Sequence, residues 1–477
     1  MALFNTPTKN QLIKNAQEKI DTFVFMSVNV NNINSGWMTE VSLIAVQVNQ
    51  LKSVQLEANP MPRICDKLTL TIDPCLPMED HLCFLSKTNN KLVQEAMKKG
   101  FDHNVFKLIQ FFLQRQFGQV CLLSHNGFRH DFQILQLELD KLEMSVGLIN
   151  SDEVWCADSL WTYKEIDNQN NVGANTVWGT GASILDMFSY TLGSVYCRYL
   201  NKPMEIKQTA EEKNLCLVEL VCCTLDLFLK NICCKKFAFV NRAHRSCMPT
   251  SPAVNHLSVN HCVSEQMTQT YIFLDLETTG LVNPQITEFC MLAVHANSLK
   301  CAPANIKTPR VTDKLVAVVD PLTQIQQRAS EITGLTNRSI ENNHKLPFDS
   351  EFCFAIKHFI CRQSGPVCLV SHNGDKFDFP IFRNSIEKLI DPSHLGQIFC
   401  ADTLVGLKQL NQKEKGSNFN NQRFKPSFKL LDVYTRCCGD LMFNWHSAEN
   451  DSFALMQITM CKPELLIWLD QNKVLFT

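Results

Sequence analysis

Asp275 and Glu277 stand two residues apart in TYIFLDLE, a run rich in β-formers, so both side chains leave the same face of a strand. Asp378 follows a second buried run, PVCLVSH, and Asp451 lies in a late helical pattern with His446 five residues before it. Four carboxylates brought to one place repel one another unless cations neutralise them, and hard oxygen donors suit Mg²⁺ or Mn²⁺. Two such ions side by side are a standard means of cleaving a phosphodiester: one generates hydroxide, the other holds the leaving oxygen. A nearby histidine takes the proton of the attacking water at neutral pH.

The elements that must position these residues are written twice. CLLSHNGFRHDFQIL (121–135) and CLVSHNGDKFDFPIF (368–382) agree at nine of fifteen positions, at an offset of 247. FVFMSVNV aligns with IFLDLETTGL, CADSL with CADTL and LGSVYCR with LLDVYTR, all in the same order. Four matches in order indicate two copies of one domain. We therefore expect a degenerate copy over 1–240, a linker over 241–269 that lacks apolar periodicity, and a second copy over 270–477. Each copy begins with strands and goes on with strands alternating with helices, which implies a mixed sheet flanked by helices, an α/β arrangement.

Asp275-x-Glu277 in FLDLETTGL, Asp378 in HNGDKFDFPIF and His446-x-Ala448-x-x-Asp451 resemble the three exonuclease motifs of the DEDDh superfamily. EITGL (331–335), SHNGDKFDFP and the VYTR-to-HSAEND spacing are similar to those of the animal three-prime repair exonucleases. The resemblance covers nearly all of 270–477. It implies two ribonuclease H-like (DnaQ-like) domains, each with a mixed five-stranded sheet, and removal of nucleotides from DNA 3′ ends with two Mg²⁺ per active site (Mn²⁺ able to substitute). Asp275, Glu277, Asp378 and Asp451 would be the metal ligands and His446 the general base. Thr278, Leu281, Ile332, His372, Lys376 and Phe377 would meet substrate, single-stranded or at a frayed end. His372, Asn373 and Asp402 have twins in the first copy (His125, Asn126, Asp158), which gives them a structural reading as well. The motifs alone do not separate DNA from RNA, since 2′-hydroxyl discrimination rests on pocket shape; an inert nucleic-acid-binding or scaffold protein is the reading of another class. The 408–429 segment carries Lys408, Lys413, Lys415, Arg423, Lys425 and Lys429 against Glu414 alone, and its Asn, Gly and Ser suggest a mobile, phosphate-tracking loop.

In the first copy the catalytic positions become Ser27, Asn29, Asp131, Gln208 and Lys213. One carboxylate and one ammonium replace four carboxylates, a formally neutral set that cannot hold two divalent cations. Lys213 stands where a metal would lie. The corresponding 164–188 loop has one lysine against Glu165, Asp167 and Asp186. The family forms homodimers, so two copies on one chain imply an internal pair, or a homodimer of the whole; a linker of this length spans about 30 Å, enough to dock neighbours.

Composition bounds the rest. In 477 residues with a formal charge of −2, no global basicity advertises nucleic acid, so any polyanion site is local. The 22 cysteines contain no CxxC pair. The N-terminus lacks the apolar stretch of a signal peptide, and no 18-residue apolar run spans a membrane. Reduced thiols in cytoplasm or nucleus are the expectation.

Overall fold

A computed structural model describes residues 20–30, 37–55, 61–73, 100–142, 148, 154–169, 189–205, 209–237, 239, 267–300, 313–417, 426–439 and 445–476, with side chains 413–417 excepted. Gln208, Arg423, Lys425 and most of the 241–269 segment lie outside them, as do the side chains of Lys413 and Lys415.

Among the described residues, twelve strands form one sheet. The first half supplies β1 (Thr22–Val30), β2 (Met38–Gln47), β3 (Asp66–Thr71), β4 (Val120–Ser124), β5 (Val154–Asp158) and β6 (Cys234–Phe237). The second supplies β7 (Thr270–Thr278), β8 (Ile286–His295), β9 (Asp313–Val318), β10 (Val367–Ser371), β11 (Phe399–Asp402) and β12 (Val474–Leu475). The order is β12-β11-β10-β7-β8-β9-β3-β2-β1-β4-β5-β6, so the two halves mirror each other about the β9–β3 seam. In each, three strands pair antiparallel, the first then pairs in parallel with the fourth, and the fourth with the fifth. That is the mixed sheet expected, with a difference: each half has a sixth, antiparallel edge strand where five were expected.

The helices used below are α1 (His103–Gln114), α2 (Asp131–Lys141), α3 (Ser159–Gln169), α4 (Leu192–Leu200), α5 (Ala210–Cys223), α6 (Gln327–Thr333), α7 (Ser350–Cys361), α8 (Asp378–Glu387), α9 (Thr403–Ser417), α10 (Leu430–Cys438), α11 (Ala448–Cys461) and α12 (Pro463–Asn472). Strand alternation divides their burial. Ile272, Leu274 and Leu276 of β7 face a core shared with α1, α2, α7 and α8 that runs unbroken through both halves. Tyr271 and Phe273 face a second core with α10, α11 and α12, and Phe23 and Phe25 of β1 face its counterpart under α3, α4 and α5. Period two therefore sends Asp275 and Glu277 toward the α11 side.

The seam is polar as well as apolar. Thr69 lies opposite Lys314 and Leu70 opposite Asp313 in antiparallel register. Asp66 accepts from the Val318 amide, and Asp313 from that of Thr71, in reciprocal fashion. Buried Arg362 bonds Asp313 and the Thr71 carbonyl, Arg115 bonds the carbonyls of Leu346 and Pro347, and Lys345 pairs with Asp66. Phe111 of α1 stacks on Phe352 of α7, centroids 5.7 Å apart.

The segment expected as a loop from 408 is helical to Ser417. Its Leu, Gln, Lys and Glu are good helix formers. Its helix docks on α12, where Trp468 bonds Gln409 and packs beside Gly406.

Candidate active site

Asp275 and Glu277 sit near the end of β7, where its pairing with β8 shifts register just after Glu277. Asp451 is in the first turn of α11, which Ser447 caps by accepting from the Asn450 amide. Carboxylate oxygens of Asp275, Glu277 and Asp451 all lie within 4.8 Å of one another. Asp378 opens α8, is buried, and accepts from the Ser371 hydroxyl at 2.5 Å. His446 is exposed, in left-handed backbone at φ 66°, and its main-chain amide reaches Asp451.

The electrostatics match four carboxyls crowded out of water. Burial, then Asp378 and Asp451, raises Asp275 well above the carboxylate range. Burial, then Glu288 and Asp451, pushes Glu277 up to about 8, with Arg63 opposing. Burial lifts Asp378 to about 7 against the Ser371 hydroxyl, and Asp451 to about 7 against the His446 amide. Asp451 Oδ1 is buried with no hydrogen-bond partner. An orphaned anionic oxygen amid mutually repelling carboxyls fits a hard divalent cation.

A further carboxylate, Glu288, lies across the β7–β8 ladder from Glu277. Arg63 of the first half grips it with both nitrogens, at 3.1 and 2.8 Å, and also bonds the Thr333 carbonyl. The amide of Ala448, at the start of α11, donates to it too. One residue on, Glu449 receives Lys67 of the first half at 2.6 Å and Lys314 at 2.7 Å; although burial works the other way, the two ammoniums hold it well below the usual range. Lys314 in turn reaches Glu211 of the first half. Sequence reasoning missed Arg63, Lys67, Glu288 and Glu449. A signal existed: PRICDKL (62–68) repeats in PRVTDKL, TEV (39–41) in TEF, and TAE (209–211) in SAE.

The residues of the resemblance divide. Leu281 is 82% and Ile332 43% exposed. The β7–β8 turn and α6 that carry them are joined: Gln326, just before α6, donates its amide to the Thr279 carbonyl, and a Cβ on Gly280 would meet the Gln326 side chain at 2.3 Å. Lys376 is exposed, and Phe377 is half-buried on the core beside Asp378. Thr278 is buried and bonds the Gly280 carbonyl. His372 has both ring nitrogens engaged, by Thr403 Oγ1 and the Phe428 carbonyl, so it braces the turn. Asp402 accepts from the amides of Asn373, Asp375 and Leu404. The twins His125 and Asp158 do the same in the first half. Asn126 and Asn373 are left-handed at φ 67° and 68°, and a Cβ on Gly127 or Gly374 would strike the ring of Phe132 or Phe379, which gives the repeated SHNG its structural cause.

At the matching place in the first half, the polar groups satisfy one another. Ser27 bonds Asn214, Asn29 bonds Glu40, Lys213 bonds Asn29 at 2.5 Å, and Asp131 receives Ser124 and His130.

No family model matches the chain. Over 214 residues, 43% of this chain, it is 38% identical to three-prime repair exonuclease 1 of Bos taurus and covers 67% of that protein. Over 212 residues it is 36% identical to three prime repair exonuclease 2 of Mus musculus, of which it covers 88%. Among solved structures, E. coli exonuclease I in complex with a dA16 oligonucleotide aligns at TM-score 0.33 and 21% identity over 42% of this chain; the chain spans 42% of that one.

Proposed function

The chain belongs to the three-prime repair exonuclease family, and on that premise we propose that its second half, 270–477, is a metal-dependent 3′→5′ exonuclease acting on DNA, coupled to a degenerate copy of the same domain, 1–240, through the 241–269 linker. The observation that carries this reading is the cluster of Asp275, Glu277 and Asp451 with Asp378 beside them.

These four carboxylates would hold two divalent cations, Mg²⁺ in the first instance, which supply positive charge to the scissile phosphate and acidify water. His446, exposed five residues before Asp451, takes the proton of the attacking water at its imidazole. Leu281 and Ile332 pack against the terminal nucleotides, a contact that does not depend on sequence. Thr278 shapes the turn that presents Leu281, and Lys376 faces the backbone phosphate. His372 acts from behind, by fixing the turn that carries Lys376 and Phe377.

The first half has lost the chemistry and keeps a positioning role. Arg63 and Lys67 fix Glu288 and Glu449, which flank the cluster. The continuous sheet across β3 and β9 supports the reading of an internal pair. No helix among the described residues is long and apolar enough to cross a membrane. The cysteines among the described residues are free thiols, which supports action on DNA in cytoplasm or nucleus.

Labelled single-stranded DNA incubated with the full chain and Mg²⁺ should shorten from its 3′ end, and EDTA should stop it. RNA of the same sequence, run alongside, should be spared. Equal or faster RNA loss would move the substrate to RNA, and no loss of either would leave the inert-scaffold reading.

A further inference from the structure

The rim of the first half's vestigial site differs from that of the second in a consistent direction. Phe128 replaces Asp375, Arg129 replaces Lys376, Trp161 replaces Val405, and Lys235, paired with Cys156, takes the place that Val474 holds opposite Cys400. An acid is lost and a lysine is gained, while the position of the remaining cation is kept.

These cations rest on aromatic rings. The exposed Arg129 guanidinium lies 5.9 Å from the Trp161 ring centre. Lys235 Nζ lies 4.4 Å from the ring centre of Phe128 and 5.7 Å from that of Phe237. Trp161 is half-buried against the main core, and its buried indole N–H has no acceptor among the described residues. Further in, Lys213 occupies the place of a metal ligand, bonded to Asn29, and its charge bears on His130. Asp131, the carboxylate retained, is engaged by Ser124 and His130. Cations interleaved with aromatic rings are what a single strand of nucleic acid requires: point charges for phosphates and π-faces for bases. A fixed ammonium needs no metal to attract a phosphate.

We propose that the first half is a second, metal-independent binding site for single-stranded DNA, in which Arg129, Lys235 and Lys213 meet phosphates and Trp161 stacks on a base. The proposal rests on DNA being the substrate of the second half. It gives the degenerate copy a task on the polymer itself: to hold a strand that it cannot cut.

The test uses the full chain with a fluorescein-labelled dT20 oligonucleotide in EDTA, where no hydrolysis competes, and reads anisotropy over a range of salt. The double variant Arg129→Gln, Lys235→Gln should bind roughly tenfold more weakly at low salt, and the slope of log K against log salt should flatten by about 1.4, since each single-strand phosphate contact contributes about 0.7. Trp161→Ala should weaken binding roughly fivefold or more, and Trp161→Phe should restore most of it, because stacking tolerates any ring. Mg²⁺-dependent cleavage by each variant, measured at saturating DNA, checks that the chain is folded. If wild type and the double variant bind with the same affinity and slope, or wild type does not bind in EDTA, the proposal is overturned and Lys235 serves to keep the β6 edge from pairing. If wild type binds in EDTA through these residues but never shortens DNA with Mg²⁺, the exonuclease reading fails and this one stands.

Discussion

Asp451 and His446 stand five residues apart, one in the first turn of α11 and the other just before its cap, the first proposed to hold charge and the second a proton. Asp451→Asn keeps the shape and removes the charge of a proposed ligand, and His446→Ala removes the proposed base; each should lower turnover by about 10²–10⁴-fold with Mg²⁺. Wild-type rates in either variant, followed on labelled DNA, would refute the assignment. Arg63 offers a subtler readout. Its guanidinium opposes the rise of Glu277 caused by burial and Glu288. Arg63→Gln should therefore move the acid limb of the pH–rate profile to higher pH, while Arg63→Lys should keep part of the wild-type position. The five residues proposed for catalysis were legible because each stands in a motif with fixed spacing. Glu288 was not, because a lone glutamate in a strand is ordinary until Arg63 arrives from 225 positions away.

The SHNG turns show what an element demands of its residues. A Cβ on Gly374 would lie 2.7 Å from the Phe379 ring and 2.8 Å from the Ser371 Cβ. Gly374→Ala should destabilise the fold by about 1–3 kcal/mol through forced repacking. Gly127→Ala, facing Phe132 at 2.6 Å, should do likewise, and chemical denaturation would measure both. The basic 408–429 segment gives a different test. Neutralising Lys413, Lys415, Arg423 and Lys425 together should flatten the salt dependence of DNA binding by about 0.7 for each phosphate that these cations no longer neutralise. An unchanged slope would mean that these cations face only water. Strand runs and helix faces were readable from period two and period 3.6. The helix to Ser417 was hidden, because its docking on Trp468 comes from a helix more than fifty residues later.

At the scale of the whole molecule, metal and pH act together. Burial holds Asp378 and Asp451 near 7 and Glu277 near 8 when folded, against about 4 in the unfolded chain. The folded state thus binds more protons between those values, and without metal its stability falls as pH rises from about 4 to about 8. Mg²⁺ held by the proposed ligands would bind their ionised form, so the rise in Tm it produces should be larger at pH 8 than at pH 5.5. A gain at pH 5.5 equal to that at pH 8 would argue against carboxylate ligation. The repeated segments are plain in the sequence, and strand order runs in opposite sense on the two sides of the β9–β3 seam. Their fusion into one sheet was not legible as such, because pairing of β3 with β9 depends on edges meeting in space and on buried partners such as Arg362 and Asp313 that belong to no motif.

The β3–β9 seam has a consequence for inheritance. In a homodimer built from one coding sequence, each substitution appears in both subunits, so a change that spoils the chemistry spoils it twice. Here the two sides of the seam are encoded separately, and a substitution enters once. Ser27 and Lys213 could arise on one side while Asp275 and Asp451 stayed on the other, provided that the groups reaching across — Arg63, Lys67, Asp66 — kept their partners. Selection is thereby free to treat the two sides as different parts, and the seam marks the line along which their histories separate.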